Sequence, residues 1–190
     1  MATLYLSDLD GTLLRSDQRT SAYTNETINR LVEEGMIFSY ATARSFHTAR
    51  KVTQGLNAKI PVIVYNGAFI IRNDTHELLH ANLFSDADAA EILNDLLSAS
   101  INPIVHCLDD KERFVYNINR INDDTRNFVE SRRGDSRDTP VKNDASLSRK
   151  GTFYFTCIDS EAKLAPLHEK LRERFTCVFC EDIYSGAQWL

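Results

Sequence analysis

Two acidic residues, Asp8 and Asp10, stand at the end of the apolar segment Leu4–Ser7 and directly before Gly11 and Thr12. Side chains at positions i and i+2 of an extended chain point to the same side, so both carboxylates are expected on one face. Gly11 permits the backbone angles that a tight turn needs. This spacing predicts a compact site in which two acids and several backbone N–H groups surround one phosphoryl-sized anion.

Two other interpretations of this acidic segment are a calcium loop and an acidic surface turn. A calcium loop counted from Asp8 requires Asp or Asn at its fifth position, Gly at its sixth and Glu at its twelfth. The sequence has Thr12, Leu13 and Arg19 there, which excludes that loop. An acidic surface turn accounts for Asp10 and the glycine after it. It does not account for two carboxylates and a threonine where a strand ends.

The elements that must position these acids alternate between strands and helices. The predicted order is strand Leu4–Ser7, a helix from about Thr24 to Gly35, strand Met36–Ala41, a helix from about Ser45 to Leu56, and strand Ile60–Tyr65. This rhythm is typical of a parallel, doubly wound sheet, in which ligands bind beyond the carboxyl ends of the strands. Asp8, Thr42 and Asn66 each follow one of these strands, so the sequence predicts that they share a site.

A different pattern begins after a predicted hairpin of Ala68–Arg72 and Glu77–His80. From about residue 83 the sequence predicts a second α/β domain. Its predicted elements are helix Ser85–Ser100, strands Asn102–Leu108 and Arg113–Asn117, helix Asp123–Arg132, a polar loop over 133–150, strand Thr152–Ile158, helix Ser160–Arg174, strand Thr176–Ile183, and the start of one more at Gln188–Leu190. The predicted domains are therefore 1–82 and 83–190.

Composition restricts the partners and the location. The 190 residues carry a net charge of −5, which argues against nucleic acid as a partner. No apolar run approaches the ~20 residues that span a bilayer, and no signal sequence is visible, so a cytoplasmic protein without a membrane partner is expected. Cys177 and Cys180 have zinc-knuckle spacing, but no further ligand pair accompanies them. Buried or half-buried free thiols are expected instead.

The segment Asp8-Leu9-Asp10-Gly11-Thr12 after an apolar strand resembles motif I of the haloacid dehalogenase superfamily. The second strand, ending in Thr42-Ala43-Arg44, is similar to motif II. In the Cof-type phosphatases of that superfamily, motif II usually reads Thr-Gly-Arg, whereas this sequence has Ala43 in place of the glycine. The segment around Asn66-Gly67 is similar to the Asn-Gly segment of the same subgroup. Order and spacing of all three segments agree with this resemblance.

The resemblance implies a Rossmann-like parallel-sheet core and a role for each motif residue. Asp8 is implied as the nucleophile that accepts the phosphoryl group, and Asp10 as the general acid and base. Mg²⁺ is implied on a carboxylate oxygen of Asp8 and the backbone carbonyl of Asp10. The N–H groups of Leu9 and Asp10, with the Thr42 hydroxyl and the Ala43 N–H, are implied to hold the phosphoryl oxygens. Asn66 is first a turn residue and second a substrate contact.

Residues from about 83 onward resemble the α/β cap that Cof-type members insert into the core. The lysine and the further aspartates that the family supplies after its cap have no counterpart before Leu190. The sequence is therefore expected to lack the C-terminal part of the core, which would expose apolar surface. That surface is expected to be covered by self-association into a homo-oligomer or by packing of the cap. Arg132 and Arg133 are expected in a solvated loop rather than at a substrate.

The sequence is compatible with three functions. The resemblance implies Mg²⁺-dependent hydrolysis of a small phosphorylated metabolite, such as a sugar phosphate, through an aspartyl-phosphate. A non-catalytic phosphate-binding or regulatory module is the alternative that the missing metal ligands favour. A phosphomutase-type transferase shares the Asp8 chemistry and differs by its need for a bisphosphate activator.

Overall fold

The computed structural model describes residues 2–57 and 60–190 of the chain. The chain divides into two compact units, one ending at Asn82 and the other spanning Leu83–Leu190. Each unit has its own helices and strands. Their assignment as a catalytic core and a cap stays a prediction.

The first unit carries a parallel sheet that is extended by antiparallel strands. Its elements are β1 (Leu4–Ser7), α1 (Ala22–Glu33), β2 (Ile37–Tyr40), α2 (Phe46–Val52), β3 (Val62–Val64), β4 (Phe69–Ile71) and β5 (Leu78–Ala81). β1 and β2 pair in parallel from Leu4 opposite Ile37 to Ser7 opposite Tyr40. A parallel bridge between Ala41 and Ile63 joins β3 to this pair, and β4 and β5 follow antiparallel. The predicted α/β class with a parallel-strand core is confirmed.

Both helices of the first unit differ from the predicted bounds. α1 begins before Thr24, because Ser21 is the N-cap and accepts the Thr24 N–H at 3.0 Å. α2 ends at Val52 rather than at Leu56. The Thr53 hydroxyl donates a hydrogen bond to the Ala49 carbonyl at 2.9 Å, and the chain turns after this residue. Such competition by Thr hydroxyls for backbone acceptors is common at helix ends.

Burial in the first unit is uneven across the sheet. Tyr40 of β2 is 1% exposed and Val64 of β3 is fully buried. In β1, by contrast, Leu4 is 55% exposed, Tyr5 54% and Leu6 50%. A strand within a parallel sheet is normally covered on both faces. Among the described residues, β1 therefore carries the least covered apolar side chains of the sheet strands.

The second unit is built on a mixed four-stranded sheet. Its elements are α3 (Asp86–Ser98), β6 (Ile104–Leu108), β7 (Glu112–Asn117), α4 (Asp123–Glu130), β8 (Asp138–Val141), β9 (Thr152–Thr156), α5 (Glu161–Leu171), β10 (Cys180–Glu181) and β11 (Gln188–Trp189). The strand order is β8-β7-β6-β9, and β10 pairs with β11. Cys157 and Leu190 exchange backbone hydrogen bonds of 2.7 and 2.9 Å, which place the end of the chain beside the end of β9.

β8 lies within the segment that was predicted to be a polar loop, so that prediction was wrong for part of 133–150. β8 pairs in parallel with β7, from Asp138 opposite Phe114 to Val141 opposite Asn117. The carbonyls of Arg137 and Val141 accept hydrogen bonds from the neighbouring strand. Because the backbone groups of successive residues point to opposite sides of a strand, those of Pro140 face the open edge. Proline at an edge leaves no N–H for a further strand.

The core of the second unit lies on both faces of its sheet. α3 and α5 enclose one cluster, which consists of Ile92, Leu96, Ile101, Cys157, Leu164, Leu167 and Leu171. On the sheet face that carries Phe114 and Tyr116, Val129 of α4 closes a second cluster. His106 is buried there and shares a 3.0 Å hydrogen bond with the Thr156 hydroxyl.

Gly151 stands at a close approach of two backbone segments beside β6. Its φ is +68°, and a Cβ placed on it would lie 2.1 Å from the Leu108 carbonyl oxygen. The Leu108 N–H also donates to the Gly151 carbonyl at 2.9 Å. Only glycine fits both the backbone conformation and the contact.

The C-terminal segment corrects two further expectations. The strand predicted over Thr176–Ile183 is reduced to Cys180–Glu181. Cys107 and Cys157 are buried and Cys177 is partly exposed, as expected of free thiols, but Cys180 is exposed, so the burial predicted for it was wrong. Arg132 and Arg133 lie in the turn after α4, where Arg133 is exposed as expected and Arg132 is partly exposed, with its guanidinium over the Phe128 ring, 3.4 Å from the ring centroid. Within the described ranges, no helix is both long and apolar enough to cross a membrane.

Candidate active site

The acidic segment after β1 forms one wide turn over Leu9–Leu13. Asp8 is extended, with φ −73° and ψ 163°, and Gly11 takes the positive φ of 74° that the turn requires. The Leu14 N–H closes the turn on the Leu9 carbonyl at 2.9 Å. Leu9 is fully buried, whereas Asp8 is exposed and Asp10 is half-buried. The apolar residue therefore anchors the turn between two accessible acids.

Hydrogen bonds between backbone groups bring the three predicted strand ends together. The Ala41 N–H donates to the Ser7 carbonyl at 2.9 Å, which holds the end of β2 beside the residue before Asp8. The Thr42 N–H donates to the Ile63 carbonyl, and the Asn66 N–H donates to the Thr42 carbonyl, both at 3.0 Å. The residues after β1, β2 and β3 thus meet at one edge of the sheet.

The Thr42 hydroxyl and the Ala43 N–H, both predicted to bind phosphate, differ in their surroundings. The buried Thr42 hydroxyl oxygen accepts the Arg44 N–H at 3.1 Å, which orients the side chain within the turn. Ala43 is exposed, and its N–H makes no hydrogen bond within the part of the chain that the structure describes. Ser45 then caps α2 by accepting the Thr48 N–H at 3.1 Å. This arrangement leaves an N–H donor at the N-terminal side of a helix.

Leu9, a predicted phosphate donor, is engaged in the structure. Its N–H donates to Oδ1 of Asp8 at 2.7 Å. A phosphoryl oxygen therefore has to compete with the Asp8 carboxylate for this donor, or the Asp8 side chain has to rotate. The other carboxylate oxygen of Asp8 accepts no hydrogen bond within the described ranges.

Asp10 is held by a residue absent from the predicted site. Arg44 donates two hydrogen bonds to the Asp10 carboxylate, from Nε to Oδ2 at 2.8 Å and from Nη2 to Oδ1 at 2.6 Å. The same Nη2 donates to the Gln18 side-chain oxygen at 3.1 Å. A bidentate pair of this kind fixes geometry as well as charge. The position of Arg44 two residues after Thr42 was the available sequence signal, whereas nothing in the sequence pointed to Gln18.

Asn66 lies in a turn of three successive residues with positive φ. Tyr65 and Asn66 both have φ of +52°, and Gly67 has +96°. Asn tolerates this region, but a buried Tyr does so rarely. Tyr65 is held by an edge-on contact with Phe69, 5.7 Å between ring centroids. Asn66 is exposed at the tip of this turn, which agrees with its predicted role as a turn residue.

The oxygen donors around Asp8 suit a hard cation only in part. Among residues 2–57 and 60–190, no group of three or more His, Cys, Asp or Glu side chains could hold a metal ion. Mg²⁺ prefers oxygen ligands and usually keeps several waters, with one or two carboxylates and substrate phosphate completing its shell. Asp8 is exposed, and one of its carboxylate oxygens accepts no hydrogen bond among the described residues, which fits one ligand of such a partial shell.

The chain matches a known protein family over nearly its whole length. The sequence profile of the haloacid dehalogenase-like hydrolases matches residues 5–188. A solved haloacid dehalogenase-like hydrolase from B. subtilis superposes with a TM-score of 0.74 at 18% identity, covering 98% of this chain and 72% of that structure. At this identity the likeness shows a common fold.

Curated relatives match over a shorter stretch. A protein of Buchnera aphidicola subsp. Baizongia pistaciae named as a phosphatase is 40% identical over 70 residues, which are 37% of this chain and 26% of the relative. A 5-amino-6-(5-phospho-D-ribitylamino)uracil phosphatase of Bacillus subtilis is 36% identical over 63 residues, 33% of this chain and 23% of the relative. The matched part thus spans about a quarter of the length of these relatives.

Proposed function

This chain belongs to the haloacid dehalogenase-like hydrolases, and we propose that it is a phosphomonoesterase acting through an aspartyl-phosphate on Asp8. The observation that carries the proposal is the meeting of three strand ends, at which exposed Asp8 lies beside the Thr42 segment. A carboxylate at such a position is a competent nucleophile toward phosphorus once the charge of the phosphate is balanced.

In this proposal, nucleophilic attack, phosphate binding and proton transfer fall to different groups of the site. Asp8 attacks phosphorus, and the Thr42 hydroxyl with the N–H groups of Leu9, Asp10 and Ala43 binds the phosphoryl oxygens. Asp10 gives a proton to the leaving alkoxide and later takes one from water. Since Arg44 holds both oxygens of Asp10, it has to release one of them for either proton transfer.

We propose Mg²⁺ as the cofactor, with the Asp8 carboxylate and the Asp10 carbonyl as its protein ligands. The ion, when bound, would screen the charge between the carboxylate and the incoming phosphate. The remaining positions would be taken by water and phosphate oxygen, as Mg²⁺ commonly arranges.

The proposed substrate is a small phosphorylated metabolite, with sugar phosphates favoured. The name of the Bacillus subtilis relative, which specifies a phosphate on a ribityl chain, supports this substrate class. We further propose that the unit ending at Asn82 is the N-terminal part of the catalytic core and that Leu83–Leu190 is a cap that reads the leaving group. A cytoplasmic location and the absence of nucleic-acid and membrane partners stay predictions.

The test is phosphate release from a generic aryl phosphate by this chain, with and without Mg²⁺. Asp8→Asn removes the nucleophile, and Asp74→Asn is the matched control, since Asp74 lies in the β4–β5 turn of the same unit and loses the same charge. Release that requires Mg²⁺, disappears in Asp8→Asn and persists in Asp74→Asn is expected. Equal release by both variants would refute the assignment of Asp8.

A non-catalytic phosphate-binding module is the second candidate, and the small set of metal ligands favours it. It predicts that phosphate perturbs the amide resonances of Leu9 and Ala43 while no aryl phosphate is hydrolysed. A phosphomutase-type transferase would instead need a bisphosphate activator. Testing these two outcomes beside the hydrolysis assay separates the three functions.

A further inference from the structure

The second unit contains a cavity of about 340 Å³ between α3 and the segment 147–152. All of its lining residues lie between Asp86 and Phe155, so none of them belongs to the acidic turn of the first unit. The volume falls within the ~300–1,000 Å³ that small-molecule sites occupy. The charges and the apolar surface of the lining therefore indicate what kind of molecule the cavity accepts.

The inner wall of the cavity is apolar. Val105 of β6 and Phe155 of β9 lie directly opposite each other in the sheet, so their side chains are neighbours on one face. Leu93 of α3 and Leu147 pack in the same cluster, and Leu147 is fully buried. Phe155 is only partly buried, which leaves apolar surface for a ligand to cover.

The α3 side of the cavity carries small side chains. Ala89 and Ala90 line it between Asp86, one turn before them, and Leu93, one turn after them. Residues three, four and seven positions apart lie on the same side of a helix, so these four residues form one wall. Ala90 is exposed, and a larger side chain at this position would fill part of the cavity.

Two cationic side chains line the cavity and keep donors for a ligand. Arg149 donates from Nε to the Ser146 carbonyl at 3.1 Å, whereas its Nη1 and Nη2 have no partner among the described residues. Lys150 is exposed, and its ammonium makes no ion pair within the same part of the chain. The carboxylate of Asp86 also lines the cavity, so the lining carries a single net positive charge.

Hydrogen bonds hold both walls of the cavity on the sheet. The Phe84 N–H donates to the Thr152 carbonyl at 2.9 Å, which fixes the chain just before α3 beside β9. The Leu108 N–H donates to the Gly151 carbonyl at 2.9 Å, and the Thr152 hydroxyl donates to the Arg149 carbonyl at 2.8 Å. The cavity is therefore formed before any ligand binds, as is usual for small-molecule sites.

We propose that this cavity binds a small organic monoanion with an apolar body, of the arylalkyl carboxylate class. The carboxylate accepts hydrogen bonds from Arg149 and Lys150, and the apolar body covers Val105 and Phe155. One net positive charge matches a monoanion, whereas the nearby Asp86 repels a second negative charge on the ligand. The cavity therefore selects against phosphate dianions, and its binding does not depend on the proposed phosphatase activity.

The test is an NMR titration of the full chain with hydrocinnamate, a phenyl ring on a short aliphatic carboxylate. Hydrocinnamide is the matched probe without the charge, and acetate is the probe without the apolar body. Hydrocinnamate should shift the amide resonances of Ala90 and Lys150 with one dissociation constant and leave that of Ala43 unchanged. Hydrocinnamide and acetate should each bind at least about tenfold more weakly.

Charge variants test the two cations. Lys150→Gln and Arg149→Gln should each raise the Kd of hydrocinnamate by about 3–10-fold, because each removes one charged donor. Lys142→Gln is the matched control, since Lys142 is also exposed in the second unit but does not line the cavity. Lys150 makes no side-chain hydrogen bond among the described residues, so its variant stays informative if Arg149→Gln does not fold.

A space-filling variant tests the cavity itself. Ala90→Leu keeps the net charge and the helix, and it should weaken hydrocinnamate binding by filling part of the space. The proposal would be overturned by the absence of a saturable shift, by equal binding of hydrocinnamide, or by unchanged binding in Ala90→Leu. Equal losses in Lys142→Gln and Lys150→Gln, or shifts at Ala43 in place of Ala90, would overturn it as well. Failure of the aryl phosphate assay changes none of these readouts, so the two proposals are tested separately.

Discussion

Gly151→Ala should destabilise the second unit by about 2–5 kcal/mol, because two costs combine at this position. The first is the left-handed φ of +68°, which costs a residue with a Cβ roughly 1–2 kcal/mol. The second is the contact of the new Cβ, 2.1 Å from the Leu108 carbonyl oxygen. Because that atom is backbone, β6 itself has to move, at a further cost of about 1–3 kcal/mol.

Gly134→Ala isolates the first of these costs. Gly134 also has a left-handed φ, +84°, but no atom lies within 4 Å of a Cβ placed on it. We expect a loss of roughly 1 kcal/mol for Gly134→Ala, which makes the difference between the two variants about 2 kcal/mol.

Urea unfolding followed by tryptophan fluorescence measures this difference. Trp189 is the single tryptophan of the chain and lies against the Phe128 ring, with 5.4 Å between ring centroids, so its emission reports on the second unit. Equal losses in the two variants would refute the close approach at Gly151. A Gly134→Ala loss above that of Gly151→Ala would also contradict the assignment of the two costs.

Three further changes test other parts of the second unit. Burial lowers the pKa of His106 to about 3, and the charges of two nearby arginines contribute to a smaller extent. Below about pH 6.5 the unfolded chain therefore binds a proton at this residue that the folded chain does not bind. Between pH 6 and pH 4, the free energy of unfolding of the wild type should therefore fall by about 1.4 kcal/mol per pH unit more than that of His106→Gln. Urea titrations at each pH measure both values, and parallel pH dependences would contradict this prediction. Alkylation read by mass spectrometry should modify exposed Cys180 in the folded chain, whereas Cys157, whose thiol pKa is raised by burial, should react only after unfolding. Leu164→Ala, at a fully buried site, should cost about 2–5 kcal/mol in the Trp189 assay, and a loss below about 1 kcal/mol would argue against this packing.

The parts of the fold that depend on local sequence were predictable. The bounds of β1 and the turn at Asp8 agree with prediction, because apolar residues followed by acids and glycine encode both locally. The start of α1 was displaced, since Ser21 and Thr24 are both good N-caps and only the surrounding structure selects between them.

The parts that depend on distant contacts were not predictable from the sequence. β8 is polar and contains Pro140, so it resembles a loop until its pairing with β7 is known. The bidentate ion pair of Arg44 and Asp10 joins residues that are 34 positions apart, and the sequence around either residue does not indicate it. The exposure of β1 likewise reflects which strands lie beside it rather than its own residues.

Pro140 has a consequence for how the chain would aggregate when concentrated or partly unfolded. A growing fibril adds chains by hydrogen bonds along a strand edge, and Pro140 interrupts that ladder on β8. β1 has no such interruption, so fibril seeds are expected to recruit Leu4–Ser7 and to leave Asp138–Val141 outside the protease-resistant part. Protease digestion of aggregated material should accordingly preserve peptides that contain Leu4–Ser7 and release those that contain Asp138–Val141.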